Sequence, residues 1–223
     1  SSAASDVYKR QVKNTPKASS QSVAELAMGH MFSCARYISI AGHTMREDKW
    51  EKKAYGKGIE LQGKTLGIVG FGRIGQHLGV MAKAIGMKVV AFDIFHIPGI
   101  EEQLGIPYVE MDELLAMSDF VSVHAPAVNG GALISAENIA KMKDGVVVIN
   151  TSRGTNVDEA ALLAALESGK VRAAGLDVYA DEPATNKALY SHPMVSCTPH
   201  IGAATNEAQK RIGAEIVDII KAM

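Results

Sequence analysis

The chain has 223 residues, a formal net charge of −1 and an apolar fraction of 47%. That suits a packed globular core and gives no electrostatic case for binding nucleic acid or an anionic membrane surface. Its two cysteines, Cys34 and Cys197, are far apart without metal-ligand spacing, and no apolar run is long enough to span a bilayer. Both thiols are expected to be reduced core residues of a cytoplasmic protein, with no metal bound.

Ser1 to Gln11, SSAASDVYKRQ, is polar and unpatterned, and is expected to be a non-native tail outside the fold. Asn14-Thr15-Pro16 signals a turn. Ser22-Val23-Ala24-Glu25 has the form of a capping box and predicts one long helix from Val23 to Arg46. That helix is apolar on more than one face, which suggests a subunit or domain interface. Asp48 to Gln62 is expected to be a loop.

The central stretch is Lys64 to Gly75, KTLGIVGFGRIG. The β-branched run Thr65 to Val69 predicts a buried parallel strand. It ends in Gly70-Phe71-Gly72-Arg73-Ile74-Gly75, and a helix from Ile74 to Ile85 follows, closed by Gly86. In this G-x-G-x-x-G pattern Gly70 allows the tight turn, Gly72 lets backbone approach a pyrophosphate, and Gly75 lets helix and strand pack closely. The positive end of the helix faces the phosphates. A second strand, Met87 to Phe92, ends in Asp93, 18 residues after Gly75, where a carboxylate accepts from a ribose 2′-hydroxyl.

Short helices are expected at Ile100 to Leu104, Met111 to Met117 and Ser135 to Met142, with a brief strand at Tyr108-Val109. Strands follow at Phe120 to His124, Val146 to Asn150, Ala173 to Val178 and Val195 to Thr198. Asp158 to Leu166 is a helix closed by Gly169, and Asn206 to Ala222 a terminal amphipathic helix. The alternation is that of a doubly wound α/β fold with a parallel, Rossmann-type sheet. Residues 12–204, the long first helix included, are expected to form the nucleotide-binding domain, and residues 205–223 a terminal helix leading back toward a second domain.

Ligands of such sheets sit outside the carboxyl ends of the strands. Three strand ends there carry reactive side chains: the segments from Asn150 to Gly154, from Asp177 to Pro183 and from Thr198 to Ala204. Arg153 can hold a carboxylate and polarise its neighbouring carbonyl. His200 can exchange a proton with the carbonyl oxygen. Glu182 would favour the imidazolium and fix the ring. Singly each has an ordinary reading as a surface or loop residue; together they suit hydride transfer to a 2-oxo acid. His30, His43, His77, His96 and His192 are expected to be structural or solvated.

The segments GFGRIG, VVVINTSRGTNVDEAALLAALESG, AAGLDVYADEP and TPHIGAAT resemble the D-isomer-specific 2-hydroxyacid dehydrogenase family, over nearly everything from Val12 to Met223. The resemblance implies an NAD-dependent oxidoreductase of D-2-hydroxy acids, with D-3-phosphoglycerate or hydroxypyruvate and glyoxylate as candidate substrates. It implies Arg153, Glu182 and His200 as the catalytic set. Gly70, Gly72, Arg73, Ile74, Gly75, Asp93, Thr151, Ser152, Asp177 and the turn of His200, Gly202 and Ala203 would line NAD. The loop His124-Ala125-Pro126 would flank the nicotinamide; its Ala125 stands where the family often has a hydroxyl. It also implies a homodimer through the Val23 to Arg46 helix, and a flavodoxin-like substrate half that this stretch does not include. The chain by itself is therefore expected to bind NADH and turn over little substrate. The competing class is an NAD(H)-sensing, corepressor-like binding protein; a formate dehydrogenase is disfavoured because those resemble this pattern with Gln in place of Glu182.

Asp93 has Ile94-Phe95-His96 after it and no adjacent arginine to receive a 2′-phosphate. NAD(H) is therefore expected to bind more tightly than NADP(H). Isothermal titration checks this, and equal or tighter NADP binding would overturn it.

Overall fold

The computed structural model describes residues 18–221, so the 1–11 tail, the Asn14-Thr15-Pro16 turn and Ala222 lie outside it. The strands are β1 (Thr65–Val69), β2 (Lys88–Phe92), β3 (Phe120–Val123), β4 (Val146–Asn150), β5 (Val171–Leu176) and β6 (Val195–Cys197). The helices are α1 (Ser20–Arg36), α2 (Ile38–Arg46), α3 (Arg73–Ala84), α4 (Ile100–Leu104), α5 (Met111–Met117), α6 (Ala136–Lys141), α7 (Glu159–Ser168), α8 (Lys187–Tyr190) and α9 (Asn206–Lys221).

The six strands form one sheet in the order β2-β1-β3-β4-β5-β6, every neighbouring pair parallel. Parallel strands buried on both faces must be apolar throughout, and alternate residues divide between two cores. On β4, Val147 and Ile149 join one core with Leu66, Ile68 and Phe120; Val146 and Val148 join the other with Val121, Leu162 and Leu176. Each such buried side chain contributes about 1.5–3 kcal/mol.

The chain leaves β1 toward β2, then returns across it to β3. The crevice between the ends of β1 and β3 is thus the switch point at which such sheets hold ligands.

The expected strand at Tyr108-Val109 is a single parallel bridge between Tyr108 and Ala91, flanked by Ala91 N–H to Pro107 O and Val109 N–H to Ala91 O. Pro107 has no N–H to extend the ladder.

The expected long helix from Val23 to Arg46 is two helices. Tyr37 breaks it in the left-handed region at φ 59°. Arg172 on β5 fixes the break by donating to the Tyr37 hydroxyl (2.9 Å) and lying 5.5 Å over its ring. The first helix starts at Ser20, so Ser22 is not its cap; the Ser22 hydroxyl bonds Thr205 Oγ1 at 2.7 Å. Much of the apolar surface of α1, including Ala24, Ala27, Met28 and Met31, is consumed inside this chain. Phe32, Ile38 and Met45 remain exposed. Cys34 is buried as expected, but Cys197 is exposed because it ends β6 at the sheet's edge. Among the described residues no helix is long and apolar enough to cross a membrane.

Candidate active site

Two clefts meet at the switch point. The first, of about 480 Å³, is lined by Gly70, Phe71, Gly72, Asp93, Phe95 and Val128 among others. The second, of about 340 Å³, includes Ile74, Thr151, Arg153, Asp177, His200 and Ala203. His124, Ala125 and Pro126 line both. Ser152 and Gly202 also face the second.

The glycines divide the labour. Gly70 has φ +95°, and a Cβ there would lie 2.6 Å from the Ala125 nitrogen, so the β1 and β3 ends touch only because it is glycine. Gly72 caps α3 and has open space beside it. Gly75 is buried against the Gly70 carbonyl, so it packs the unit and lines neither cleft. Arg73 is exposed at the first position of α3 and lines neither cleft.

Asp93 holds the glycine turn: Phe71 N–H donates to its Oδ2 at 2.7 Å and Phe95 N–H to its Oδ1 at 3.0 Å. Both oxygens keep acceptor capacity for a ligand hydroxyl. In the second cleft the Thr151 hydroxyl and His124 Nδ1 are buried without a protein partner. Such atoms are costly unless something satisfies them. The clear space at Gly72 where α3 starts, an acceptor at Asp93 and two unmatched polar atoms suit a dinucleotide with phosphates, ribose hydroxyls and an amide.

Asn150 builds the Arg153 loop. Its Oδ1 accepts from Ser152 N–H (3.0 Å) and Oγ–H (2.8 Å), and its Nδ2 donates to Arg153 O (2.9 Å). Asn156, fully buried, donates to Ala125 O (2.9 Å) and Ser152 Oγ (3.1 Å), tying this loop to the end of β3. Gly154 abuts the Tyr179 carbonyl so closely that no Cβ fits. The Arg153 guanidinium is exposed and donates through Nη1 to Ser152 O at 2.7 Å.

Across this loop His200 Nδ1 lies 2.6 Å from Glu182 Oε2, with the side chains 53% and 39% exposed. The hydrogen bond with His200 holds the Glu182 carboxyl below its usual range, helped by Tyr179 N–H and the charge of Arg153. His200 itself has φ 54°, a left-handed conformation a histidine adopts only when its surroundings impose it. The imposing group is Asp177, 1% exposed. It accepts from Thr198 Oγ–H (2.6 Å), Ile201 N–H (2.8 Å) and Gly202 N–H (2.8 Å).

The glycine turn and the switch-point clefts are those of a Rossmann-type dinucleotide-binding domain, with Arg153, Glu182 and His200 grouped beside them. Residues 28–202 match the model of the family described as D-isomer specific 2-hydroxyacid dehydrogenase, NAD binding domain. The chain belongs to that family, and its cofactor is NAD. It is 52% identical over 214 residues to a hydroxypyruvate reductase of Thermotoga maritima, covering 94% of this chain and 68% of that protein. It is 44% identical over 211 residues to a D-3-phosphoglycerate dehydrogenase of Mycobacterium bovis, covering 94% of this chain and 40% of that protein. A solved D-lactate dehydrogenase from Aquifex aeolicus, complexed with NAD and lactic acid, superposes with a TM-score of 0.83. The two are 33% identical, over 94% of this chain and 67% of that one.

Most of the residues named from sequence line one cleft or the other, but Arg73, Gly75 and Glu182 line neither. Sequence reasoning missed the supporting amide of Asn156 and the apolar wall of the first cleft, notably Phe95 (76% exposed) and Val128. Large apolar residues directly after the acid at the end of β2 were the available signal.

Burial pushes the His124 imidazole down from 6.5 to about 4. Between those values the unfolded chain binds a proton that the folded chain excludes, so stability falls as pH drops from about 6.5 toward 4. Urea unfolding across this range should show that loss, and His124→Gln should shrink it. An unchanged slope in the variant would contradict the assignment.

Proposed function

We propose that the protein interconverts a D-2-hydroxy acid and its 2-oxo acid. The observation that carries this reading is the 2.6 Å His200–Glu182 pair standing beside Arg153 at the mouth of the NAD cleft. Bound NAD supplies the hydride carrier. Arg153 spends one donor on Ser152 O and keeps the rest of its fork for a substrate carboxylate. With Nδ1 bonded to Glu182, His200 Nε2 is the nitrogen that gives a proton to the carbonyl oxygen in reduction and takes it back in oxidation. The Glu182 carboxylate steadies the imidazolium while it is charged.

The relatives' names divide among hydroxypyruvate, 3-phosphoglycerate and lactate. Our reading favours D-3-phosphoglycerate, hence L-serine biosynthesis in the cytoplasm, with hydroxypyruvate or glyoxylate next. A panel of 2-oxo acids with NADH, run on the full-length protein, decides among them. There His200→Ala should lower kcat about 10²-fold or more, the loss expected for a general acid. Glu182→Gln should lower kcat by less than His200→Ala does, because it loosens the hold on the ring without removing it. Near-normal turnover by His200→Ala would sink the mechanism.

Pairing of two chains through α1 and α2 is part of the same reading. It is supported by the exposed Phe32, Ile38 and Met45 (39%, 57% and 52%) on one continuous stretch. Sedimentation equilibrium at micromolar concentration should give twice the chain mass, and Ile38→Glu with Met45→Glu should halve it. A monomeric parent would exclude this interface.

A further inference from the structure

His30 is a buried titratable group that the chemistry above does not use. It is 3% exposed and sits on α1 with its Cβ over Gly175 of β5. A Cβ on Gly175 would lie 2.6 Å from His30 Cβ, so the ring has its place only because that strand residue is glycine. Its two nitrogens both reach hydroxyls at β6 and its end: Nδ1 lies 3.0 Å from Ser196 Oγ and Nε2 3.1 Å from Thr198 Oγ1.

The proton positions follow from the partners. Thr198 has one hydroxyl hydrogen, and it goes to Asp177 Oδ1 at 2.6 Å. The same oxygen can then only accept from His30, so Nε2 carries the hydrogen and Nδ1 accepts from Ser196. Burial lowers the His30 pKa, opposed by the Asp177 charge, which keeps the ring in this neutral form. A directed chain results: Ser196 to His30, His30 to Thr198, Thr198 to Asp177. At its end Asp177 gathers the Ile201 and Gly202 amides and so shapes the left-handed turn at His200. The start of α1 grips the far side of the turn through Ser22 Oγ and Thr205 Oγ1 at 2.7 Å.

We propose that His30 is a positioning residue, whose Nε2–H sets the Thr198 hydroxyl on Asp177 and thereby holds the turn that presents His200. Remove the donor and Thr198 Oγ1 is free to rotate. Asp177 then loses a fixed hydrogen bond and the strained turn loses part of what imposes it. The proposal rests on the role given to His200 above, but its test does not.

The test uses the ¹⁵N-labelled chain with His30→Phe, His30→Gln and Thr198→Val, reading the Ile201 and Gly202 amide shifts, their hydrogen exchange and NADH affinity by fluorescence. Phe fills the site without a donor, whereas Gln restores one. In His30→Phe the two amides should move upfield and exchange about tenfold faster or more, as for loss of a buried bond in a charged network. NADH should bind more weakly there, because Asp177, Gly202 and Ala203 line its cleft. His30→Gln should stay close to the parent, and Thr198→Val should reproduce the Phe result. Unchanged amides in His30→Phe overturn the proposal, and so do equal changes in the Phe and Gln variants. If His30→Phe does not fold, Thr198→Val decides alone, and unchanged amides there overturn it. A responsive turn combined with full turnover by His200→Ala would leave the positioning intact and remove only the catalytic reading.

Discussion

A buried carboxylate is the constraint on which the edge carrying His200 depends. Asp177 directly follows β5 with almost no solvent contact, so its charge must be met by hydrogen bonds. Three donors meet it, and two are the backbone amides just after His200. A histidine held at positive φ would relax without that anchor. A buried charge thus holds the turn on which the imidazole stands.

Close backbone approaches make up the second constraint. Gly70 lets the ends of β1 and β3 touch, and Gly154 lets the Arg153 loop press on the Tyr179 carbonyl. These contacts bring cofactor cleft, arginine and acid–histidine pair within one small volume. Two asparagines stiffen it, Asn150 within the Arg153 loop and Asn156 between that loop and Ala125. Side-chain amides serve here because each offers donor and acceptor at once, replacing ladder hydrogen bonds that end with the strands.

Much of the fold was legible because it is written in local chemistry. The all-apolar runs at Thr65–Val69 and Val146–Asn150 have the composition of doubly buried parallel strands and took those limits. Ser135, Asp158 and Gly169 marked helix ends that the structure keeps. The helix break at Tyr37 was not legible, since nothing nearby is a helix breaker. It is imposed by Arg172, 135 residues away. Ser22 misled for a related reason: its hydroxyl serves Thr205 rather than the helix end.

The sequence by itself determined the six strands and most of the helices, the glycine turn, the acid after β2, and the three strand ends carrying Arg153, Glu182 and His200. Periodicity, glycine spacing and strand–loop order are one-dimensional properties, so they can be read without coordinates. Only the tertiary structure decided that Glu182 meets Nδ1 rather than Nε2, that Asp177 braces the turn instead of simply lining the cleft, and that His30 ends in a hydroxyl chain leading there. Those are relations between residues 18 to 168 positions apart. Which atom of a side chain is used depends on the few partners that packing places around it, and no local pattern encodes them.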